Sequence, residues 1–369
     1  MKTKLYCHGC GYELQTIVVD KLGYIPKINE AKEIYYCQRC HNMIFKNQAP
    51  KTFLQDQDYW ELFTEIVFEN KLYVLIIDIF NIEGSILDKM VEKLQNKQVL
   101  IVLNKRDLIP KLVKDNKIYA SIKNHYKLKN LQIIDYVVVS SKKKYNIDLL
   151  LDKINYYRQD DVFLIGVANV GKSSIVNSLI NSITQDNKEH ISTSYHAGTT
   201  LGLIKVPFDE VANLIDTPGI INKSDVNNGL SKETLEVIIP KKEIRPKTYQ
   251  LNAEQTLFIS SLLQVDYIQG TRQGFTIYAA NTIQIHRTKL ENALSFRENN
   301  LGKNILTFPS TKELEKLVFK QETIKLVGKN VDVVISGLCW LNFKNIETEI
   351  QLTLTLPQNV AVYIRKGLI

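Results

Sequence analysis

The sequence predicts an α/β fold with a mainly parallel sheet, preceded by a cysteine-rich segment and followed by a β-rich C-terminal domain. Three observations lead to this prediction. Apolar, β-branched runs alternate with amphipathic helical patterns from residue 71 onwards, two Cys-x-x-Cys pairs precede them, and short alternating runs follow residue 225. Strands that alternate with helices form a parallel sheet with helices on both faces. The expected domains span residues 1–50, 51–224 and 225–369.

The composition is typical of a globular protein, with 44% hydrophobic and 23% charged residues among 369. The N-terminus lacks the apolar region of a signal peptide, and the longest apolar runs are too short to span a bilayer. We therefore expect a cytoplasmic protein without a membrane segment. The net charge of +8 permits an anionic partner such as RNA, although a lysine-rich surface alone accounts for it equally well.

The predicted parallel sheet is built from short apolar strands with helices between them. The strands are "KLYVLIIDIF", "QVLIVLNK", "IIDYVVVSS" and "DVFLIGVA". The helical patterns lie near residues 85–96, 111–127 and 146–157, and another begins at Gly171. Two shorter runs, "GLIKVPF" and "VANLID", predict a hairpin at the end of this domain.

A basic, proline-punctuated stretch, "IIPKKEIRPKTYQL", marks the change to the C-terminal domain. Alternating runs such as "TLFISSLLQVDYI", "FTIYAAN", "VDVVISGL" and "IQLTLTL" then predict strands. One helix is expected near residues 310–318.

Four of the five cysteines form two pairs, Cys7 with Cys10 and Cys37 with Cys40. Two Cys-x-x-Cys turns supply four thiolates, which is the ligand set of tetrahedral structural zinc. Disulfides or free core thiols are the alternatives, but disulfides fit poorly with a chain that lacks a secretion signal. We therefore expect Zn²⁺ in the N-terminal domain. Cys339 stands alone and is expected to be a small buried hydrophobe.

The segment from Gly166 to Ser173 has the pattern G-x-x-x-x-G-K-S at the end of an apolar strand and the start of a helix. In a phosphate-binding loop of this kind, backbone N–H groups point at the β-phosphate. The lysine reaches the β and γ oxygens, and the serine hydroxyl ligates Mg²⁺. The residues expected to contact the nucleotide here are Asn169, Val170, Gly171, Lys172, Ser173 and Ser174.

Two further motifs follow the phosphate loop. Asp216 ends the strand "NLI" and begins Asp-Thr-Pro-Gly, where the aspartate can hold the Mg²⁺ shell and the N–H of Gly219 can sense a γ-phosphate. Between them lies "HAGTTLG", in which the hydroxyl of Thr199 or Thr200 can complete Mg²⁺ coordination. Each motif alone is weak, but their order after a phosphate loop indicates a nucleotide site.

The base-reading motifs come earlier in the chain. Asn-Lys-Arg-Asp ends the strand "QVLIVL", and the last carboxylate can accept hydrogen bonds from guanine N1 and N2, which adenine cannot offer. The motif residues are Asn104, Lys105 and Asp107. The next strand ends in Ser140, Ser141 and Lys142, which would place a backbone N–H on guanine O6. A solvated loop is the alternative for N-K-x-D in isolation, and the strand context and the phosphate loop favour the guanine site.

The motif order is the cyclic order of a GTPase cut at a different point. An unpermuted GTPase runs phosphate loop, threonine switch, DxxG, NKxD, SAK, whereas this chain begins with NKxD. The chain thereby resembles the circularly permuted GTPases of ribosome assembly, and the N-terminal cysteine pairs indicate the YqeH-like branch. The stretches "DIFNIEGS" from Asp78, "IIPKKEIRPKTYQLN" from Ile238 and "VDVVISGLCW" from Val331 are similar to that branch, so the resemblance covers nearly the whole chain.

The resemblance implies an α/β, circularly permuted P-loop GTPase domain with an N-terminal zinc knuckle and a β-rich C-terminal domain. It implies a GTPase that acts on the small ribosomal subunit precursor and its rRNA, with GTP/GDP and Mg²⁺ at its site. Lys172, Thr200 and Gly219 take the catalytic roles. Departures from the family pattern are Ala197, Gly202, Ser141 and Cys339, none of which removes an assigned catalytic side chain.

Two residues of the site bear on the rate of hydrolysis. Ile220 occupies the place of the water-orienting glutamine of Ras-like proteins, which predicts slow intrinsic hydrolysis. Asn169 matches the loop asparagine of similar GTPases that bind K⁺ near the phosphates, although a loop hydrogen bond is its simpler role. A competing interpretation of the whole chain is a nucleotide-stabilised RNA-binding scaffold in which hydrolysis is incidental.

Overall fold

The computed structural model describes residues 71–186, 203–209 and 211–369, with short stretches among the first 70 residues. Four of the candidate site residues, Cys10, Cys40, Thr199 and Thr200, lie outside the described residues. The chain divides into two compact units. Unit 1 comprises Met1–Arg106 with Ile122–Ile221, and unit 2 comprises Asp107–Ser121 with Asn222–Ile369.

Unit 1 contains a six-stranded sheet. Its strands are β1 (Leu72–Asp78), β2 (Gln98–Asn104), β3 (Gln132–Val138), β4 (Val162–Ile165), β5 (Ile204–Pro207) and β6 (Asn213–Asp216), in the order β3-β2-β1-β4-β6-β5. All neighbours pair in parallel except the hairpin of β5 and β6. Every residue of β1 is buried, as expected for a central parallel strand covered on both faces. The predicted sheet is confirmed.

Between residues 71 and 186 the helices are α1 (Ile82–Ser85), α2 (Asp88–Lys93), α3 (Asp115–Lys123), α4 (Ile147–Tyr157) and α5 (Lys172–Asp186). The helices predicted over 146–157 and from Gly171 are confirmed to within one residue as α4 and α5, whereas the other two predictions differ from the structure. The single helix expected over 85–96 is wrong, because Ile86, which separates α1 from α2 in the chain, has extended backbone angles and a fully buried side chain. The helix expected from residue 111 begins only at Asp115. The N–H of Lys111 instead donates to the Glu243 carboxylate, at 2.9 Å.

Unit 2 contains an antiparallel sheet. Its strands are β7 (Lys247–Leu251), β8 (Gln255–Ile259), β9 (Leu263–Gln269), β10 (Gln273–Ala279), β11 (Ile285–Lys289), β12 (Phe319–Ile335), β13 (Cys339–Pro357) and β14 (Val362–Lys366). The order is β11-β8-β9-β13-β10-β7, and β12 pairs with both β13 and β14. Strands β12 and β13 form one long hairpin whose alternating side chains build the core of this unit. The predicted β-rich character is confirmed.

The helix expected near residues 310–318 is present over Thr311–Leu314, but two further helices of the C-terminal domain were not predicted. Among the described residues unit 2 has α6 (Lys232–Ile238), α7 (Ala293–Asn300) and α8 (Thr311–Leu314) there. They are short, and packing onto the sheet rather than a long amphipathic period stabilises them. No helix in the described part of the chain is long and apolar enough to cross a membrane.

Glu313 ties two of these helices together. Its carboxylate closes the capping box of α8 with Ser310 and also accepts hydrogen bonds from the Ser231 N–H and the Thr234 hydroxyl, both at 2.7 Å. Burial alone would raise the pKa of Glu313, but the Ser231 N–H and the neighbouring hydroxyls outweigh it and lower this pKa. The charged carboxylate therefore stabilises the N-termini of both α6 and α8.

We expect Glu313→Gln to lower the free energy of unfolding by about 1 to 2 kcal/mol at neutral pH, because the new amide nitrogen faces hydrogen-bond donors. Chemical denaturation measures this change, with Glu315→Gln, an exposed carboxylate two residues away, as the control near zero. The folded pKa is the lower one, so the stabilisation is present above the unfolded pKa and is lost as pH falls through the folded pKa. If the wild type and Glu313→Gln still differed in unfolding free energy below that pKa, this explanation would be wrong.

Candidate nucleotide-binding site

The candidate site lies at one edge of the parallel sheet. The phosphate loop follows β4, Asn104 ends β2 and Asp216 ends β6. Because these strands are parallel, their carboxyl ends meet at the same edge, where ligands of open α/β sheets bind. The permuted chain therefore reaches one site from distant parts of the sequence.

Lys172 opens α5 and is buried beneath the phosphate loop. Its ammonium donates to the carbonyl oxygens of Gly166 and Val167, at 2.8 and 3.1 Å. Burial lowers the pKa of Lys172 to about 8, and the negative charge of Asp216 works in the opposite direction. The ammonium is thus mostly protonated at neutral pH, and a phosphate oxygen is a stronger partner for it than a neutral carbonyl.

Ser173 and Asp216 come from different elements and meet at the site. The Ser173 hydroxyl donates to the Asp216 carboxylate, with Oγ and Oδ2 at 2.9 Å. Both are hard oxygen ligands, and Mg²⁺ in nucleotide sites takes one or two such protein ligands with phosphate oxygens and water. The pair fits Mg²⁺. The described residues hold no cluster of three or more His, Cys, Asp or Glu side chains arranged for a metal.

The segment Asp216–Ile220 lies directly on the phosphate loop. The Ala168 N–H donates to the Ile220 carbonyl at 2.6 Å, and Val167 and Ile220 form a parallel bridge. Gly219 approaches so closely that a Cβ there would lie 2.9 Å from Ala168 Cα and 3.1 Å from Lys172 Nζ. Movement of the loop and movement of this segment are therefore mechanically linked.

Asn104 joins three of the predicted motifs. Its amide nitrogen donates to the Val170 carbonyl at 2.8 Å, and its amide oxygen accepts the Ser141 N–H at 3.2 Å. Gly171 makes room for this side chain, since a Cβ at Gly171 would lie 2.3 Å from Asn104 Nδ2. Gly171 also has a φ of +97°, in the left-handed region.

The loop after β3 is held by its own hydrogen bonds and by contacts from Asn104 and α5. Ser140 and Tyr145 exchange two backbone hydrogen bonds, and the Lys143 N–H donates to the Ser140 hydroxyl at 3.0 Å. The Ser178 hydroxyl of α5 donates to the Ser141 carbonyl at 3.3 Å. Ser140 is buried and Lys142 is exposed. Asn104 and α5 thus fix the backbone at Ser141, the group assigned to guanine O6.

Asp107 is half-buried and is the first residue of unit 2. The next carbonyl, that of Leu108, accepts the Ile244 N–H at 2.9 Å, so unit 2 holds the chain directly after the aspartate that is assigned to base reading. Asn169 is exposed at the tip of the phosphate loop and has a φ of +68°. Ser174 is exposed in the first turn of α5.

Asp78 lies outside the sequence motifs of the site but contacts a motif residue. Asp78 ends β1 opposite Asn104 in the register, and its Oδ2 lies 2.6 Å from Lys105 Nζ. The feature of the sequence that could have identified Asp78 is its position, as the first residue of "DIFNIEGS" directly after a run of apolar strand residues. Because burial of an unpaired charge is costly, the ammonium of Lys105 is the partner that allows this carboxylate to be buried.

Two of the four predicted zinc ligands are described. Cys7 and Cys37 are both buried, and the Cys37 N–H donates to Cys7 Sγ at 3.0 Å. Their partners Cys10 and Cys40 lie outside the described residues. Cys339 is buried in unit 2, as expected, and burial raises its pKa far above the ordinary value.

Comparison with known proteins is consistent with this site. A family profile described as RsgA GTPase matches residues 53–226, and one described as YqeH-like, C-terminal, matches residues 272–368. The YqeH protein of Bacillus subtilis (strain 168) is 36% identical over 370 residues, which cover 99% of this chain and 100% of that protein. NO-associated protein 1, chloroplastic/mitochondrial, of Arabidopsis thaliana is 25% identical over 428 residues, covering 98% of this chain and 76% of the relative. The GTPase Der of Mycoplasma mycoides is 32% identical over 186 residues, covering 46% of this chain and 39% of that protein.

We expect Gly171→Ala to raise the Kd for GDP at least about tenfold, because its Cβ displaces the Asn104 amide that joins the loops. Isothermal titration calorimetry measures the affinity. Gly229→Ala is the matched control, since Gly229 also has a positive φ, +78°, but has no atom within 4 Å of its would-be Cβ. The control should lose about 1 kcal/mol of stability and keep its GDP affinity. Equal GDP affinity in Gly171→Ala and the wild type would refute the role given to Asn104.

Proposed function

The chain belongs to the YqeH-like family of circularly permuted GTPases, and from that premise we propose that it is a GTP-driven switch in assembly of the small ribosomal subunit. It binds and hydrolyses GTP, as its family does. In our proposal the chain works in the cytoplasm, and its GTP form associates with the subunit precursor and its GDP form leaves.

One structural observation supports the proposed switch. The segment Asp216–Ile220 lies on the phosphate loop, and the chain enters unit 2 between Ile221 and Asn222. The part assigned to γ-phosphate sensing therefore continues into unit 2 after one residue. When the Gly219 N–H loses its contact with the γ-phosphate, the resulting change in this segment would be passed along the chain to unit 2.

The proposed chemistry rests on positioning. Lys172 and the N–H groups from Asn169 to Ser174 hold the phosphates, while Asn104, Asp107 and Ser141 read the guanine. Ser173, Asp216 and Thr200 are assigned to Mg²⁺, which when bound neutralises charge on the transferring phosphoryl group. Ile220 offers no group to orient water, so intrinsic hydrolysis is slow.

Two further ions belong to the proposal. Asn169, at the exposed tip of the phosphate loop, is assigned to K⁺, which would supply positive charge near the phosphates. Zn²⁺ is assigned to Cys7, Cys10, Cys37 and Cys40. The amide-to-sulfur hydrogen bond from Cys37 to Cys7 supports the zinc assignment, because such bonds stabilise a metal-bound thiolate.

A basic strip supports an RNA partner. Lys241, Lys242, Arg245 and Lys247 are exposed within seven residues, and Glu243 is the single acid among them. Each cation that neutralises a phosphate releases counterions and adds affinity. The strip is therefore suited to the phosphate backbone of rRNA.

Hydrogen bonds hold the backbone of this strip in place. The Ile244 N–H donates to the Leu108 carbonyl, and the Lys111 N–H donates to the Glu243 carboxylate, both at 2.9 Å. The Asn281 amide donates to the Glu243 carbonyl at 2.9 Å. A strip fixed in this way loses little backbone entropy when it binds.

The experiment is co-sedimentation of the protein with small-subunit precursors, in GDP and in a non-hydrolysable GTP analogue. We expect roughly tenfold tighter association in the analogue. We also expect that Lys172→Ala, expressed as the sole copy, fails to prevent accumulation of precursors. The control is Lys303→Ala, which changes an exposed lysine of unit 2.

Equal association in both nucleotides, with full function of Lys172→Ala, would refute the switch and favour the alternative, an RNA-binding scaffold that nucleotide merely stabilises. Absence of any association with precursors would refute the ribosomal assignment itself.

A further inference from the structure

Asp78 and Lys105 form the closest described ion pair at the base-reading end of the site. Lys105 Nζ donates to Asp78 Oδ2 at 2.6 Å, and the two side chains are 25% and 11% exposed. Such a shielded pair is worth more than a surface salt bridge, because solvent screens it less. The pair lies wholly in unit 1.

Contacts within its own turn hold the Asp78 carboxylate in place independently of Lys105. Its other oxygen, Oδ1, accepts the Phe80 N–H at 2.9 Å, and its own N–H donates to the Ser85 hydroxyl at 3.1 Å. The Ser85 hydroxyl in turn donates to the Asn81 carbonyl at 2.7 Å. One carboxylate oxygen is therefore used by the turn, and the second is directed to Lys105.

The backbone of Lys105 adopts an unusual conformation. Lys105 has a φ of +67°, in the left-handed region that side chains other than glycine and asparagine rarely enter. The residue before it, Asn104, is held by Val170 and Ser141, and the N–H of the residue after it, Arg106, donates to the Val139 carbonyl at 3.0 Å. Strain of this kind persists where the surrounding contacts over-determine it.

We propose that Asp78 is a positioning residue for guanine binding, which acts through Lys105. This proposal rests on the proposed function, since it assumes that the N-K-R-D loop reads guanine. The carboxylate holds the ammonium end of Lys105, which leaves the apolar stem of the side chain as the part that can contact a planar base. The β1 strand thus contributes to base recognition although no motif residue lies on it.

The proposal predicts a selective effect on binding. Asp78→Asn keeps the size of the side chain and its bond to the Phe80 N–H but removes the charge that holds Lys105. We expect the Kd values for GDP and for a GTP analogue to rise together, about tenfold, because the change lies at the base and not at the phosphates. The KM for GTP should rise in parallel, with kcat at saturation unchanged.

Two further variants separate positioning from a structural role. Ser85→Ala removes hydrogen bonds from the same turn without touching Lys105, so it should lower the unfolding temperature and keep GDP affinity. Lys105→Met keeps the stem and removes the charge, and combining it with Asp78→Asn should weaken GDP binding no more than the stronger single change. This non-additivity is the signature of a residue that acts through another.

The outcomes are distinct. GDP affinity unchanged in Asp78→Asn, or independent multiplying effects of the two substitutions, would overturn the proposal. Equal loss of affinity in Ser85→Ala and Asp78→Asn would also overturn it, because the turn alone would then explain the effect. A wild-type protein that binds no guanine nucleotide would instead refute the proposed function. Calorimetric titration and circular dichroism melts supply all of these measurements.

Discussion

The candidate site depends on the side-chain amide of Asn104. Its two hydrogen bonds reach the phosphate loop at Val170 and the loop after β3 at Ser141. These partners are far from Asn104 in sequence, so no local propensity creates the contact. The glycine at position 171 is required because the amide occupies the space that a Cβ would need. The loop assigned to base reading and the phosphate loop are thereby fixed relative to each other by one side chain.

Permutation leaves this arrangement intact because the loops at the edge of a parallel sheet meet when their strands are neighbours in the sheet. The order of those strands along the chain does not matter. The strands β2, β1, β4 and β6 are neighbours, and each presents its carboxyl end to the same edge. What permutation changes is where the chain leaves unit 1. In the chain, unit 2 begins after Arg106, within the motif assigned to base reading, and again after Ile221, one residue beyond the segment assigned to γ-phosphate sensing.

Much of unit 1 could be predicted from sequence because its signals are local. Buried apolar runs predicted β1 to β4, and the helix predicted from Gly171 begins one residue later, at Lys172. The interruption at Ile86 was not predictable, because it depends on tertiary burial of one side chain. In unit 2 the helix α6 was missed, because a helix of only seven residues shows too little of the 3.6-residue hydrophobic period to be recognised in the sequence. Asp78 was missed as a contact of Lys105 because their proximity arises only when β1 and β2 pair.

We propose that the segments between Asn104 and Gly219 form a single guanine site in permuted order. Titration of GDP, XDP and ADP into the wild type and Asp107→Asn tests it most directly, since the substitution exchanges a hydrogen-bond acceptor for a donor. We expect that the wild type prefers GDP and that Asp107→Asn loses GDP affinity and gains XDP affinity. Undiminished GDP affinity in Asp107→Asn would contradict it.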